Sequence, residues 1–308
     1  VKQMHDTRIS NMKTIKSLNP GIQTVYIKPP AKRSISRIVR YADVSFNTEI
    51  RTIEWLSEEA IKQGKIHKII IMVEMGDLRE GVLGEELLDF YQRAMSLNGI
   101  SISGIGTNLS CLSGVMPNQD KLIQLSLYKL LIETKFQKTI PWVSGGTSVA
   151  IPLLLKNASP MAVNHFRVGE ALYFGKDLFT GKTMKGMHND VFKLYAEIIE
   201  ITEKPDLPIG ELGKNVAGNS FSMDDQDDLS GSSTRAILDI GLLDMQPQYL
   251  ILEDTKLKII DASSDMTVVD ISHTKKKYKV GDLISFKLDY MGALSILNSN
   301  YVDKKVED

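Results

Sequence analysis

Short apolar runs alternate with longer amphipathic stretches along roughly the first 175 residues of the 308-residue chain. Strands are expected over the first residues up to His5 and then at 24–28, 43–47, 67–74, 101–107, 140–144 and 164–169. Between them, 49–63 sets Ile50, Ile53, Trp55, Leu56, Ala60 and Ile61 near helical spacing, and 120–135 does the same with Leu122, Leu125, Leu130 and Leu131. Strands that alternate with helices imply parallel βαβ units. The pattern therefore predicts an α/β fold of the (β/α)8 barrel type with seven strands in place of eight. Together with a first residue that is Val1 and not Met, the count leads to the expectation that the first βα unit of the barrel is missing from this chain.

Beyond about residue 190 the rhythm changes to strands at 194–202, 233–240, 258–262, 267–271 and 283–288, separated by turn-rich segments. The expected organisation is a barrel domain over 1–188 and a mainly β domain over 189–308. Residues 215–233 are rich in Gly, Ser and Asp, and their acidic cluster of Asp224, Asp225, Asp227 and Asp228 reads as a solvated loop, without the glycine and glutamate of a Ca²⁺ loop. No metal site is expected.

Composition narrows the partners. Lys plus Arg number 37 against 38 Asp plus Glu, so no global field favours nucleic acid or an anionic membrane. No apolar run approaches the ~20 residues that span a bilayer, and no signal-peptide pattern opens the chain. The single cysteine, Cys111, excludes an intramolecular disulfide, fits a reducing cytoplasm and reads as a half-buried small hydrophobe. Small polar ligands remain the open class.

In parallel barrels the functional residues sit where strands end. At 69–82, IIIMVEMGDLREGV, five apolar residues run directly into Glu74, Gly76, Asp77, Arg79 and Glu80, the mark of a buried strand that surfaces at the mouth. The next strand ends in GIGTNLSC, with Thr107 and Asn108. The following one ends in VSGGTS, whose glycines suit a tight turn and whose Thr147 and Ser148 open a helix expected from Val149. Hydroxyls and N–H groups at a helix start make a phosphate cradle, and they equally make a plain N-cap. Arg167-Val168-Gly169-Glu170 on the adjacent strand adds a cation and a glycine, and with both readings open the ligand is phosphorylated or the turns are structural. The acids Glu74, Asp77 and Glu80 read first as salt-bridge partners and second as a site for a basic substrate.

VEMGDLREGV, GIGTNLSC, SGGTS and RVGEALYFG, in this order and followed by ASSDMTVVDI and DYMGAL, resemble the alanine racemase superfamily, nearest its ornithine and broad-specificity branch. The resemblance covers essentially the whole chain. It implies a barrel that binds pyridoxal 5'-phosphate (PLP), a C-terminal β domain, and a homodimer with shared sites that interconverts L- and D-amino acids. By motif, Ser148 matches a phosphate ligand with Thr147, Gly169 and Glu170 beside it, Arg167 the arginine facing the pyridine nitrogen, and Tyr290 a phosphate-side hydroxyl. Arg79 matches the arginine that orients the cofactor's phenolic oxygen and the substrate carboxylate, Asn108 takes the place of a histidine, and Asp265 with Ser263 and Ser264 matches the partner-contributed loop. Two departures accompany these matches. The family's Schiff-base lysine belongs to the strand counted as absent, and Leu242 stands where alanine racemases place a tyrosine base. The alternative reading is a non-catalytic, PLP-binding or truncated member of the family, and a sugar-phosphate barrel enzyme is the third.

Overall fold

Each apolar run of the first half pairs in parallel with the next, building a seven-stranded sheet in strict sequence order. The computed structural model describes residues 1–156, 162–214 and 231–307, and the chain divides into two units, Val1–Lys185 and Gly186–Asp308. In the first unit the strands are β1 (Gln3–Asp6), β2 (Gln23–Tyr26), β3 (Val44–Asn47), β4 (His67–Met72), β5 (Ile100–Gly106), β6 (Trp142–Thr147) and β7 (His165–Arg167). The helices between them are α1 (Ile9–Leu18), α2 (Ile35–Tyr41), α3 (Ile50–Lys62), α4 (Leu87–Met95), α5 (Gln119–Phe136) and α6 (Ile151–Leu155), with α7 (Glu170–Phe174) after the last strand.

Strand alternation divides the core in two. Ile69, Ile71, Val73, Ile105 and Val143 join Ile53, Leu56, Leu87 and Leu122 in the layer beneath the helices. Their neighbours Ile70 and Met72 turn to the other face and pack with Val25, Val44 and Phe46. Gly104 and Gly106 of β5 sit on that inner face, where a Cβ would come within 2.9 Å of Trp142 O and of Met72 Sδ respectively. The sheet curls until its first and last strands meet side chain to side chain: His165 Nε2 lies 2.9 Å from Gln3 Oε1, and the His5 and His165 rings stack at 5.2 Å. This is the barrel-like architecture, with helices outside, that the alternating pattern predicts.

SGGT differs from expectation. It is strand to its last residue, followed by a 3-10 turn over Ser148–Ala150 before α6. The glycines serve close packing instead of a tight turn: a Cβ on Gly145 would lie 2.1 Å from Val163 Cγ1, and the register between β6 and β7 slips between Ser144 and Gly146.

The second unit is a six-stranded antiparallel sheet. Its strands are β8 (Lys193–Pro205), β9 (Ser232–Leu238), β10 (Leu250–Leu252), β11 (Lys258–Ala262), β12 (Thr267–Asp270) and β13 (Leu283–Leu288), in the order β10-β13-β8-β9-β12-β11, followed by α8 (Tyr290–Ile296). β8 begins with a period of two, Leu194, Ala196 and Ile198 buried between exposed Lys193, Tyr195 and Glu197. The acidic cluster Asp224, Asp225, Asp227 and Asp228 lies outside the described residues.

The loop after β4 is pinned at both ends. Val73 and Val82 form a parallel bridge, Glu74 N–H donates to Val82 O at 3.0 Å, and Val82 N–H donates to Met72 O at 2.8 Å. Gly81 lies so close to the returning backbone that a Cβ would sit 2.1 Å from Glu74 N, at φ +156°. Gly81→Ala is therefore expected to destabilise the protein by about 2 kcal/mol or more through forced backbone movement. Urea unfolding measures this, and an unchanged midpoint with an unchanged slope contradicts it.

Candidate functional site

Five strands deliver polar residues to the C-terminal mouth of the barrel, and Arg167, the last residue of β7, is the most buried cation among them at 7% exposed. Its guanidinium makes four hydrogen bonds, all to neutral oxygens: Ser144 Oγ, Ser144 O at 3.4 Å, Thr107 O at 2.8 Å and Asn108 Oδ1. It also lies over the Phe46 ring at 5.3 Å. Burial, only partly offset by Cys111 and Glu80, lowers its pKa to about 10, so it stays charged at neutral pH. Both Nη atoms are engaged, and Nε carries the remaining N–H.

Asn108 carries this contact outward. Its Oδ1 accepts from Arg167 and its Nδ2 donates to Glu80 Oε1, while Glu80 in turn takes Arg79 Nε and Nη2, the latter at 2.7 Å. Three loops, after β4, β5 and β7, are thus joined by one chain of bonds, Arg167 to Asn108 to Glu80 to Arg79. The expected residues Arg79, Asn108 and Arg167 come together, and Glu80 is the link that brings Arg79 in.

The other two acids of this loop hold backbone. Glu74 accepts from the N–H groups of Leu78 at 3.1 Å and Arg79 at 3.2 Å, shaping the turn in which Leu78 takes φ +55°. Asp77, 1% exposed, accepts from Cys111 N–H at 3.0 Å, Leu112 N–H at 2.9 Å and Val115 N–H at 3.3 Å. Burial would raise its pKa, but these backbone donors outweigh it and hold the carboxyl below its ordinary value. Cys111 is pinned on the same loop, and burial pushes its thiol pKa up.

Beside the cluster, Ser148 Oγ accepts from Gly169 N–H at 3.3 Å and Ala171 N–H at 3.0 Å, so donors at the start of α7 converge on one hydroxyl. Thr147 precedes it at the end of β6, Glu170 opens α7, and space is open where a Cβ on Gly169 would stand. A phosphate requires such N–H donors with a hydroxyl, and a ring nitrogen requires a directed donor such as Arg167. The residues present fit the phosphate and the ring nitrogen of the cofactor that the resemblance implies. Asp265 and Tyr290 belong to the second unit. There Asp265 is exposed and accepts from Ser264 Oγ at 2.6 Å, and Tyr290 begins α8 behind Asp289, whose Oδ1 caps Gly292 N–H at 2.7 Å. Leu242 is tied to the same ledge as Asp265, its N–H donating to Ser263 O at 2.9 Å.

Three residues inside the barrel, beneath the mouth, were not among those expected. Ser144 Oγ sits 2.8 Å from His165 Nδ1, and His165 Nε2 contacts Gln3 Oε1, an oxygen that only accepts. The proton of His165 is therefore on Nε2, Ser144 donates to Nδ1, and Arg167 donates to Ser144. Burial first, then Arg167, lowers His5 to about 4, and burial, His5 and Arg167 together lower His165 to about 3, so both rings are neutral beneath the arginine. The only sequence signal was polarity at alternate inner positions, Ser144 on β6 and His165 on β7. Among the described residues no group of His, Cys, Asp and Glu is arranged to hold a metal ion, and no helix is long and apolar enough to cross a membrane.

Comparison with known proteins follows the geometry. Residues 7–177 match the family described as alanine racemase, N-terminal domain. An ornithine racemase of Acetoanaerobium sticklandii is 39% identical over 98% of this chain and 84% of its own length. A lysine racemase of Thermotoga maritima is 30% identical over 98% of this chain and 83% of its own. Among solved structures, an alanine racemase from Bartonella henselae with covalently bound pyridoxal phosphate superposes with a TM-score of 0.66 at 18% identity, over 92% of this chain and 75% of that one, a likeness of fold.

Asp77 gives a pH test. Its folded pKa lies below the ordinary 3.8, so its stabilisation is complete at neutral pH and is lost as the pH falls below about 3.8 through the folded value. Asp77→Ala is expected to cost about 1–3 kcal/mol at pH 7 from the three stranded amides. The difference from the parent protein, followed by urea unfolding, should close in acid, and a gap that persists there contradicts the assignment.

Proposed function

The chain belongs to the alanine racemase family and is an amino-acid racemase, and we propose that it uses pyridoxal 5'-phosphate to interconvert the L and D forms of a basic amino acid, ornithine foremost, as a homodimer in the cytoplasm. The observation that carries the cofactor reading is Arg167, a buried guanidinium held by neutral oxygens next to a convergence of N–H donors at Ser148. The substrate reading leans on the likeness to racemases named for ornithine and lysine.

PLP, when bound, supplies an electron sink for the bond at the substrate α-carbon. The residues of this chain divide the remaining work. Ser148 and Thr147 would hold the phosphate through their hydroxyls, with the N–H of Glu170 and, once released from Ser148 Oγ, that of Gly169. Arg167 would face the pyridine nitrogen, and because it stays charged it would disfavour a proton there and so temper the sink. Asn108 fixes the guanidinium plane through its Oδ1 and hands the other side of its amide to Glu80. Glu80 in turn aims Arg79, whose fork suits a carboxylate, at the substrate. Neither Glu74 nor Asp77 is spare for a substrate ammonium, since both carboxylates hold backbone amides. By family likeness alone, Tyr290 is assigned to the phosphate side and Asp265 to the substrate side, where its carboxylate suits the distal ammonium of a diamino acid.

Chiral chromatography of full-length protein incubated with PLP and separately with L-ornithine, L-lysine and L-alanine tests the proposal. D-ornithine or D-lysine is expected to form faster than D-alanine, and the absence of any D product with PLP bound overturns it. Arg167→Glu is expected to shift partitioning from racemisation towards transamination, read as keto-acid formed per D-amino acid, and unchanged partitioning removes the role given to Arg167.

A further inference from the structure

A concavity of about 510 Å³ opens on the opposite end of the barrel from the mouth, where β2, β3 and β4 begin. It lies among three successive helix-to-strand turns and takes Lys16, Arg40, Lys65 and Lys68 from them against a single acid, Asp43. In a chain whose charges nearly cancel, 37 against 38, this is a local excess of positive charge in a recess of small-ligand size.

The one acid is already committed. Asp43 Oδ2 accepts from Lys16 Nζ at 2.6 Å and from Thr24 N–H at 2.7 Å. Lys65 Nζ reaches only the carbonyls of Val39 and Arg40 at the end of α2, each at 3.4 Å. Among the described residues neither Arg40 nor Lys68 forms an ion pair, and Arg40 lies 5.7 Å from the Tyr41 ring. His67 lines the recess at 3% exposed, with its Nε2 2.8 Å from Ser45 Oγ. No Phe, Tyr or Trp lines it, which disfavours a nucleobase.

We infer that this recess is a second ligand site, distinct from the mouth, which takes a small multiply charged oxyanion of the phosphate type between Arg40, Lys65 and Lys68 over the His67 floor. An anion there joins Arg40 at the end of α2 to Lys65 and Lys68 around the start of β4, so it stabilises the folded barrel by mass action. Each contact alone, exposed to water, contributes little, and it is their convergence that makes a site.

Inorganic pyrophosphate is the probe, added to full-length protein saturated with PLP and compared with sodium chloride at matched ionic strength. Titration calorimetry should show saturable binding at one site per chain, with a parallel rise in Tm. Arg40→Gln with Lys68→Gln is expected to weaken binding by about tenfold while leaving racemisation without pyrophosphate unchanged. Lys68→Arg should retain binding, which separates loss of charge from loss of fold. A response that only tracks ionic strength overturns the inference. So does one that Ser148→Ala abolishes and the Arg40 and Lys68 changes leave intact, since the anion is then in the mouth.

Discussion

Burying a guanidinium is expensive, and the mouth of this barrel is arranged around meeting that cost without an opposing charge in contact. Arg167 takes oxygens from Ser144, Thr107 and Asn108, so the ends of β5, β6 and β7 converge on one side chain. A carboxylate in their place would satisfy the cation and also quench it. Neutral acceptors hold its geometry and leave its field directed into the barrel mouth. The same requirement explains the neutral histidines below. With Ser144 receiving from Arg167, its own proton must go to His165, and a protonated His165 would break that sequence.

The second constraint is the use of acids as backbone anchors. Glu74 and Asp77 stand at the mouth of an enzyme, yet their oxygens hold the amides of their own and the neighbouring loop. What reads in sequence as salt-bridge partners or a site for a basic substrate is mostly scaffolding for Arg79 and the 109–116 segment. Of the three acids, Glu80 is the one bonded to other side chains of the mouth, Arg79 and Asn108.

The central barrel strands were the most legible: β4 carries the apolar run 69–73 and β3 is buried at every residue, and 43–47 and 67–74 locate them to within one or two residues. Short elements escaped. β10 has three residues and α8 seven, too few for a period to show. SGGT reads as a turn by composition and is strand by packing, since only the fold brings Val163 against Gly145. At the mouth, Arg79, Asn108, Ser148 and Arg167 were picked out in sequence because strand ends were sampled. Ser144 and His165 were not, because an inward-facing polar residue on a buried strand has no periodic signature and its partner is 21 residues away. The direction of a carboxylate, to backbone or to substrate, is likewise set by tertiary approach and not by spacing.

The loop from Glu74 to Gly81 leaves and rejoins the barrel through one paired rung, Val73 with Val82. Its Asp77 oxygens reach across to the loop after β5, but its entry and exit add nothing to the register of β4 with β5. It behaves as a cassette, a segment whose contents are insulated from the scaffold by the closure of its own ends. Change within it can re-aim Arg79 while the strands stay where they are. A barrel of this kind can be retuned within this loop wherever Asp77 and Glu80 are kept, because those two carboxylates are its ties to the 109–116 segment and to Asn108.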